Sequence, residues 1–119
     1  MTLDGIVRFG QSWTDKDLDA CMAYFTEDAV FAASTGDGPG KEFVGKAAIR
    51  AELERIFADP SIAPLVCGRC WIDAGRGGME WSLDRRMGDG ATRTVRGVDL
   101  YEFRGDLIRL KDSYRKCLA

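Results

Sequence analysis

The sequence predicts an α+β fold in which three N-terminal helices pack on a curved, mostly antiparallel sheet and leave a cone with an internal cavity. Two observations predict this class. Helical apolar spacing is confined to the first half of the chain, whereas β-branched and aromatic runs joined by short glycine-bearing links follow Pro64. The chain has 119 residues, which suffice for one sizeable core, so we expect a single domain over residues 1–119.

Composition and charge narrow the class of protein. Apolar residues make up 45% and charged residues 30% of the chain, which is typical of a soluble globular protein. The net charge of −2 disfavours a nucleic-acid partner. Because the sequence has no apolar run long enough to span a bilayer and its first residues lack signal-peptide features, we expect no membrane partner and a cytoplasmic location.

The sequence contains no histidine. This excludes serine and cysteine hydrolase machinery that relies on His, and it removes the commonest transition-metal ligand. Any general acid or base must then be a carboxylate, Lys, Tyr or Cys. We therefore expect neither a metal nor a cofactor.

The four cysteines include the C-x-x-C pair Cys67 and Cys70. The pair lies in a predicted strand, where residues three apart point to opposite faces. A thioredoxin-type pair needs a helix N-terminus, and a zinc site needs two further ligands. Inert thiols in a reducing compartment are therefore the favoured interpretation over a redox or metal site.

Apolar spacing predicts two helices at the start of the chain. The residues at helical intervals are Leu3, Ile6, Phe9 and Trp13, followed by Leu18, Cys21, Met22 and Phe25. Thr14 with Asp17 three positions later resembles a capping box, which predicts that the second helix begins after Thr14. We expect this helix to end near residues 26–28.

A short strand, a glycine-rich loop and a third helix come next. The predicted strand covers residues 29–33, and residues 34–40 form a surface loop of turn-forming residues. The helix begins at Gly45-Lys46 and ends at Pro60.

The second half of the chain predicts a meander of four strands, at residues 65–73, 78–87, 92–103 and 107–117. If Gly105 and Asp106 form a two-residue hairpin loop, Asp99 lies directly opposite Asp112 on the last two strands. Opposed like charges destabilise a sheet, so this pair suggests a functional role. With the last strand expected at an edge, Asp112 is the weaker candidate.

Two alternatives remain open for this pair. A cation, Lys111, Arg109 or Arg96, pairs with the carboxylates, or a bulge shifts the register and sends one of them to solvent.

A related question of register concerns Glu80. Because Met79, Trp81 and Leu83 alternate as an inward-facing set, Glu80 is expected to face outward.

Aromatic side chains are the candidates for holding a substrate. They are Trp13, Tyr24, Phe57, Trp71, Trp81, Tyr101 and Tyr114. Trp71 and Trp81 face each other if Asp73 pairs with Met79, and Tyr101 and Tyr114 share the row of the two aspartates. Packing in the core is the ordinary role of such residues, and lining a hydrophobic site is the functional alternative.

Several segments resemble nuclear transport factor 2-like proteins. They are Trp13-x-x-x-Asp17, Tyr24-Phe-Thr-Glu-Asp-Ala-Val-Phe31, Gly45-Lys-Ala-Ala-Ile-Arg50, Gly97-Val-Asp-Leu-Tyr-Glu-Phe103 and Ile108-x-x-x-Asp-Ser-Tyr114. Within that superfamily the chain is similar to the SnoaL-like polyketide cyclase, ketosteroid isomerase and limonene epoxide hydrolase group. The resemblance implies an acidic residue on the late strands as acid or base, for which Asp99 and Asp112 are candidates.

Two features of that group are missing from this sequence. The isomerases carry a basic Asp just after the first strand, where residues 31–34 here hold no carboxylate. The hydrolases carry Arg-x-Asp on the middle strand, where residues 78–82 read Gly-Met-Glu-Trp-Ser.

The leading hypothesis is a small cofactor-independent enzyme of isomerase, cyclase or hydrolase type. It would use the cavity carboxylates Asp99 and Asp112 for acid/base chemistry on a small hydrophobic molecule. The alternative is a non-catalytic small-molecule-binding or dimerisation module, and a thiol redox protein is a third possibility. Val98 and Leu100 on the exposed side of the sheet suggest a homodimer formed through the sheet.

Overall fold

The structure, a computed structural model, describes residues 1–116, so Cys117 at the end of the last predicted strand lies outside the described residues. Its helices are α1 (Leu3–Thr14), α2 (Leu18–Met22) and α3 (Lys46–Ala58). Its strands are β1 (Phe25–Ala32), β2 (Glu42–Val44), β3 (Val66–Asp73), β4 (Arg76–Arg86), β5 (Thr92–Arg104) and β6 (Leu107–Arg115). The predicted third helix and the four late strands are confirmed within two residues at each described end, whereas β2 was not predicted.

The six strands in the described part of the chain form one curved, open sheet in the order β2-β1-β6-β5-β4-β3. Neighbours are antiparallel except β1 and β6, which are parallel. The helices pack on one face of this sheet, with α1 against β3 and α3 against β1. This confirms the predicted α+β class of three helices on a mostly antiparallel sheet.

The hydrophobic core fills the space between the helices and the face of the sheet that they cover, which we call the inner face. Its largest fully buried side chains are Phe9, Phe25, Ile6, Ile49, Leu53, Met79, Ile108 and Cys21. Each large apolar side chain buried in this way stabilises the fold by about 1.5–3 kcal/mol. Helix α1 approaches the sheet closely at Gly10, where a Cβ atom would lie 2.6 Å from Cys67 Sγ.

The junction between α1 and α2 differs from the prediction. Thr14 is the last residue of α1 rather than an N-cap, and its hydroxyl donates to the carbonyl of Leu65. The chain turns through Lys16 at φ 53°, and Asp17 caps α2 by accepting a hydrogen bond from Ala20 N at 3.1 Å. Helix α2 ends at Met22, earlier than predicted, because β1 begins at Phe25.

The last strand is central in the sheet, so its predicted edge position is wrong. Strand β1 runs parallel to β6 on the side away from β5, with Ala32 beside Asp112. The edges of the described sheet are β2 and β3. The predicted meander pairs strands that are neighbours along the chain, whereas this pairing joins strands that are far apart in the chain.

The predicted opposition of Asp99 and Asp112 is also wrong. The hairpin begins as expected, since Phe103 pairs with Ile108. A bulge between Glu102 and Phe103 then shifts the register by one residue. As a result Asp99 pairs with Ser113, and Asp112 pairs with Leu100 on the opposite, outer face.

The outer face of the sheet carries exposed apolar side chains. Val66, Trp71, Leu100 and Tyr114 are 62%, 42%, 44% and 54% exposed. The homodimer through this face stays a prediction. None of the helices within residues 1–116 has the length and apolar character that crossing a bilayer requires.

Candidate active site

A pocket of about 280 Å³ lies between α1, α3 and the inner face of the sheet. Its buried floor combines apolar and polar side chains. These are Phe9, Phe31, Met79, Trp81, Asp99, Tyr101, Lys111 and Ser113. The alternation of β4, β5 and β6 brings the polar members together, because Met79 pairs with Asp99 and Asp99 with Ser113 across neighbouring strands.

Asp99 is the centre of the polar cluster on this floor, and it is 4% exposed. Trp81 Nε1 donates to Asp99 Oδ1 at 2.9 Å, and the Tyr101 hydroxyl donates to Oδ2 at 3.1 Å. Lys111 Nζ lies 3.0 Å from the same Oδ2. Three donors on three different side chains therefore hold one buried carboxylate.

Lys111 is a buried cation enclosed by aromatic rings. Its Nζ lies 4.6 Å from the ring centroid of Trp13 and 4.3 Å from that of Phe31, and it donates to Ser113 Oγ at 2.9 Å. Aromatic faces and an anion together compensate for the loss of water around an ammonium group. The bulge in the hairpin places Lys111 on the inner face.

Tyr101 supplies a neutral donor. Burial, together with the negative charge of Asp99, holds the pKa of the Tyr101 phenol well above its usual value of 10.0. The hydroxyl is therefore protonated throughout the physiological range and donates a hydrogen bond rather than carrying a charge.

Trp13 contributes a donor with no partner among the described residues. Its Nε1 is buried and has no hydrogen-bond acceptor within residues 1–116. The ring packs edge-on against Phe31 and Phe57 while lining the pocket. An unsatisfied buried N–H is costly, so this atom is a candidate contact for a polar ligand atom.

The mouth of the pocket is formed by polar lining residues that are exposed or half-buried. We define it as Ser34, Thr35, Arg55, Asp59, Arg85 and Arg115. Arg55 pairs with the buried carboxylate of Glu52. Ser61 donates to Asp59, which lowers the pKa of that carboxyl, and the charges of Arg85 and Arg55 add to the effect. Arg115 donates to Ser34 Oγ at 2.8 Å.

The predicted site residues divide between the pocket and the rest of the molecule. Asp99, Trp13, Trp81 and Tyr101 line the pocket. Tyr24 and Phe57 pack against the core outside it, and Phe57 borders a separate cavity of about 20 Å³ behind Trp13.

Three predicted residues lie on the outer face of the sheet. Asp112 accepts a hydrogen bond from the Tyr114 hydroxyl at 3.1 Å, away from the pocket. Asp73 pairs with Arg76 rather than with Met79. Trp71 therefore lies opposite Gly78 and not opposite Trp81. The predicted contact between Trp71 and Trp81 is therefore wrong.

The outward position predicted for Glu80 is confirmed. Its partner across the sheet is Val98, and it forms an ion pair with Arg69 on the outer face.

Cys67 and Cys70 share one face, contrary to the argument from strand alternation. A bulge between them pairs Cys67 with Trp81 and Cys70 with Met79, and both partners face inward. Burial raises the pKa of both thiols. Neither thiol has the lowered pKa of a reactive cysteine. Within residues 1–116 no group of His, Cys, Asp or Glu is arranged to hold a metal ion.

Lys111 is one of the three cations that the sequence offers as partners of the two carboxylates, and its pairing with Asp99 is confirmed. Its position in the pocket is not predicted, since an unbroken alternation from Ile108 sends Lys111 outward. A bulge leaves little trace in a sequence. The informative signal was the repulsion between Asp99 and Asp112 that the unbulged register requires.

The chain belongs to the SnoaL-like domain family, whose model matches residues 6–110. Solved structures share its fold. An NTF2-like protein of unknown function from Mesorhizobium loti is 21% identical, with a TM-score of 0.80 over 96% of this chain and 89% of that one. A protein with a cystatin-like fold from Methylobium petroleophilum is 20% identical, with a TM-score of 0.75 over 98% of this chain and 76% of that one.

A third structure carries a small molecule. A hypothetical protein with a ketosteroid isomerase-like fold from Catenulispora acidiphila, in complex with trimethylamine, is 16% identical. Its TM-score is 0.78, over 96% of this chain and 86% of that one. A search of curated proteins gave no match. At these identities the similarities establish the NTF2-like fold and leave the chemistry to the residues themselves.

Proposed function

We propose that the chain is a small cofactor-independent enzyme that moves a proton on a small hydrophobic molecule bearing a carbonyl group. The observation that carries this proposal is the position of Asp99, a buried carboxylate on the floor of a largely apolar pocket. Replacing a buried ion pair by apolar residues is often neutral or stabilising, so stability alone is a weak reason for this cluster. A few polar groups that converge inside a largely apolar pocket are typical of functional sites.

The contacts of Asp99 leave room for a proton. A carboxylate has about four acceptor positions. Trp81 occupies one on Oδ1, while Tyr101 and Lys111 occupy Oδ2. One position on Oδ1 therefore suits a proton taken from the carbon beside a substrate carbonyl.

The same cluster supports the charge that develops on the substrate. When Asp99 takes the proton, its own charge is neutralised and the electron pair of the broken C–H bond moves to the carbonyl oxygen as an enolate. Lys111 is then an ammonium without its anion, and the phenol of Tyr101 is a neutral donor. Both stabilise the enolate in a site with little water. Return of the proton to the same or a neighbouring carbon completes an exchange or an isomerisation.

A non-catalytic binding module is the second candidate. The observation that favours it is that three donors already satisfy Asp99 without a ligand. In that case the pocket would hold an apolar molecule, and the polar cluster would only maintain its shape. Members of this fold family do carry small molecules, as the trimethylamine complex illustrates for its own protein.

Two measurements with the same probe distinguish these candidates. Tetralone, a bicyclic ketone, is added in D₂O, and deuterium uptake beside its carbonyl is followed by NMR. Binding is followed by quenching of tryptophan fluorescence, since Trp13 and Trp81 line the pocket. The enzyme is supported if wild-type protein binds tetralone and accelerates its deuterium exchange, and if the Asp99→Asn variant loses this acceleration. The binding module is supported if the protein binds tetralone but the exchange rate stays at that of the buffer.

A further inference from the structure

We propose that the hydroxyl of Ser113 donates the hydrogen bond that holds the carbonyl oxygen of the substrate, and that Lys111 acts on this oxygen through Ser113. This inference rests on the proposed function, because it names the contact that positions the substrate in the same pocket. Its basis is the arrangement of hydrogen bonds around the buried ammonium group of Lys111.

Lys111 has little capacity left for a direct bond to a ligand. Its Nζ lies 3.0 Å from Asp99 Oδ2 and 2.9 Å from Ser113 Oγ, so two of its three N–H donors face oxygen atoms. The rings of Trp13 and Phe31 lie over the same nitrogen, with centroids at 4.6 Å and 4.3 Å. The positive charge is thus enclosed by its partners, and a ligand meets it most directly through Ser113.

The hydroxyl of Ser113 has a proton available for a ligand. The residue is 7% exposed and lines the pocket. Its oxygen accepts the bond from Lys111, and within residues 1–116 no group accepts a hydrogen bond from this hydroxyl. A hydroxyl that accepts from a cation becomes a stronger donor, because neighbouring hydrogen bonds polarise one another. The complementary group is an oxygen atom with free lone pairs.

Trp13 offers a second donor beside the same ammonium group. Its Nε1 is buried and has no acceptor in the described part of the chain, and its ring lies over Lys111 Nζ. Two available donors therefore lie around one positive charge in the wall of the pocket. This set suits a carbonyl or enolate oxygen, which accepts hydrogen bonds, and disfavours a ligand ammonium group, which only donates them.

Ser113 is also well placed relative to the proposed base. It pairs directly with Asp99 across β5 and β6, and such pairs have Cβ atoms about 4.5–5.5 Å apart on one face. In a ketone, the oxygen and the carbon that loses its proton are both attached to the carbonyl carbon. Asp99 and Ser113 can therefore contact these two atoms of one substrate at the same time.

The timing of the charges supports the same assignment. Before proton transfer, the charge of Lys111 is balanced by Asp99. Once Asp99 holds the proton, that charge is no longer balanced, and it polarises the Ser113 hydroxyl at the moment when the substrate oxygen becomes negative. A donor of this kind stabilises the enolate more than the ketone, which lowers the barrier.

The test follows the carbonyl stretching band of bound tetralone, labelled with ¹³C at the carbonyl, by difference infrared spectroscopy. A hydrogen bond to the oxygen lowers the frequency of this band. In wild-type protein we expect the band at a lower frequency than in hexane. Ser113→Ala should move it back toward the hexane value, whereas Ser113→Thr keeps a hydroxyl and should keep most of the displacement.

The exchange rate provides a second readout. Ser113→Ala should lower kcat for deuterium exchange by about a hundredfold, as expected for the loss of one donor to an enolate, with a smaller change in KM. Ser113→Thr should recover much of that rate. Ser12→Ala is the matched control, because Ser12 is a buried serine outside the pocket lining whose hydroxyl already donates to the carbonyl of Phe9. It should change neither the band nor the rate.

The infrared band separates this inference from the proposed function, since it requires binding and no turnover. Asp99→Asn should lose exchange and keep the lowered band. A lowered band that depends on Ser113, in a protein without exchange, would support the contact while the proposed proton transfer fails. If Ser113→Ala does not fold, Ser113→Cys replaces it, because a thiol is a weak donor of similar shape.

Three results would overturn the inference. The first is a wild-type complex whose carbonyl band stays at the hexane frequency, and the second is the same lowered band in wild-type protein and folded Ser113→Ala. The third is an absence of tetralone binding to wild-type protein.

Discussion

Lys111 Nζ lies 3.0 Å from Asp99 Oδ2, and the two side chains are 5% and 6% exposed. The pair is thus enclosed within the protein and forms part of the pocket floor. Its geometry depends on the bulge in the β5–β6 hairpin, which turns Lys111 inward and Asp112 outward. One extra residue in β6 therefore decides which charges meet in the pocket.

Breaking this pair should be strongly destabilising. Lys111→Met leaves Asp99 as a buried charge without its cation, so we expect a loss of about 3–5 kcal/mol in the free energy of unfolding. The double variant Asp99→Asn/Lys111→Met should be more stable than Lys111→Met alone, because neither charge remains. Urea unfolding of wild-type protein, the two single variants and the double variant measures this coupling. Additive losses would contradict a coupled pair.

Gly97 provides the space in which Trp81 reaches Asp99. A Cβ atom at Gly97 would lie 2.3 Å from Trp81 Cζ2 and 2.5 Å from the carbonyl of Tyr114. We expect Gly97→Ala to displace the indole, weaken its bond to Asp99 and cost about 1–3 kcal/mol. Gly88→Ala is the control, since nothing lies within 4 Å of that position. Equal urea midpoints for the two variants would contradict this packing.

Alkaline stability should depend on Cys21. Burial raises the pKa of its thiol from 9.0 to about 12. Between these values the unfolded chain has lost the proton that the folded chain keeps, so folding stability falls as the pH rises above 9. At its steepest the contribution is about 1.4 kcal/mol per pH unit.

Cys21→Ala removes this group and should therefore make the decline above pH 9 shallower, although packing loss lowers its stability at neutral pH. Part of the decline should remain, because burial also raises the pKa values of Tyr101, Cys67 and Cys70. Urea unfolding of both proteins from neutral pH to about pH 11 measures the two slopes. Parallel slopes would show that Cys21 is not the source of the decline.

The unpartnered indole N–H of Trp13 predicts a difference between folding and binding. Trp13→Phe keeps an aromatic ring and removes a buried donor whose lack of a partner costs about 1–3 kcal/mol. The loss of packing and the removal of the unpartnered donor should have nearly opposite effects, so the free energy of unfolding should change little. Tetralone binding should weaken, because the ketone oxygen loses this N–H as a hydrogen-bond donor. Urea unfolding and fluorescence titration of Trp81 measure the two effects.

A large loss of stability in Trp13→Phe would have a different meaning. A cavity of about 20 Å³ adjoins Trp13, which is large enough for one water molecule. The loss would indicate that such a water accepts the indole N–H, and the role in binding would then be rejected.

The sequence predicts the fold well because periodicity and turn residues are local signals. Helix α3 begins after Gly45 and ends before Pro60, as expected from those residues. The parallel pairing of β1 with β6 has no such signal, because it joins segments about eighty residues apart. The central position of β6 in the sheet could therefore not be predicted from local sequence signals.

The candidate site was predicted only in part, for a related reason. Asp99, Trp81 and Tyr101 follow the regular alternation of β4 and β5, and all three reach the pocket. Lys111 and Asp112 lie beyond a bulge, and a shift of one residue exchanges the two faces of a strand. A second bulge likewise brings Cys67 and Cys70 to one face.

The most direct measurement of the central claim compares Asp99→Asn with Asp112→Asn, the same change on opposite faces of one hairpin. Both variants are assayed for deuterium exchange of tetralone, and circular dichroism establishes that both are folded. Because a general base contributes about 10²–10⁴-fold, Asp99→Asn should lower the exchange rate by at least about a hundredfold, while Asp112→Asn keeps the wild-type rate. Equal exchange rates in wild-type protein and folded Asp99→Asn would contradict the claim that Asp99 moves the proton.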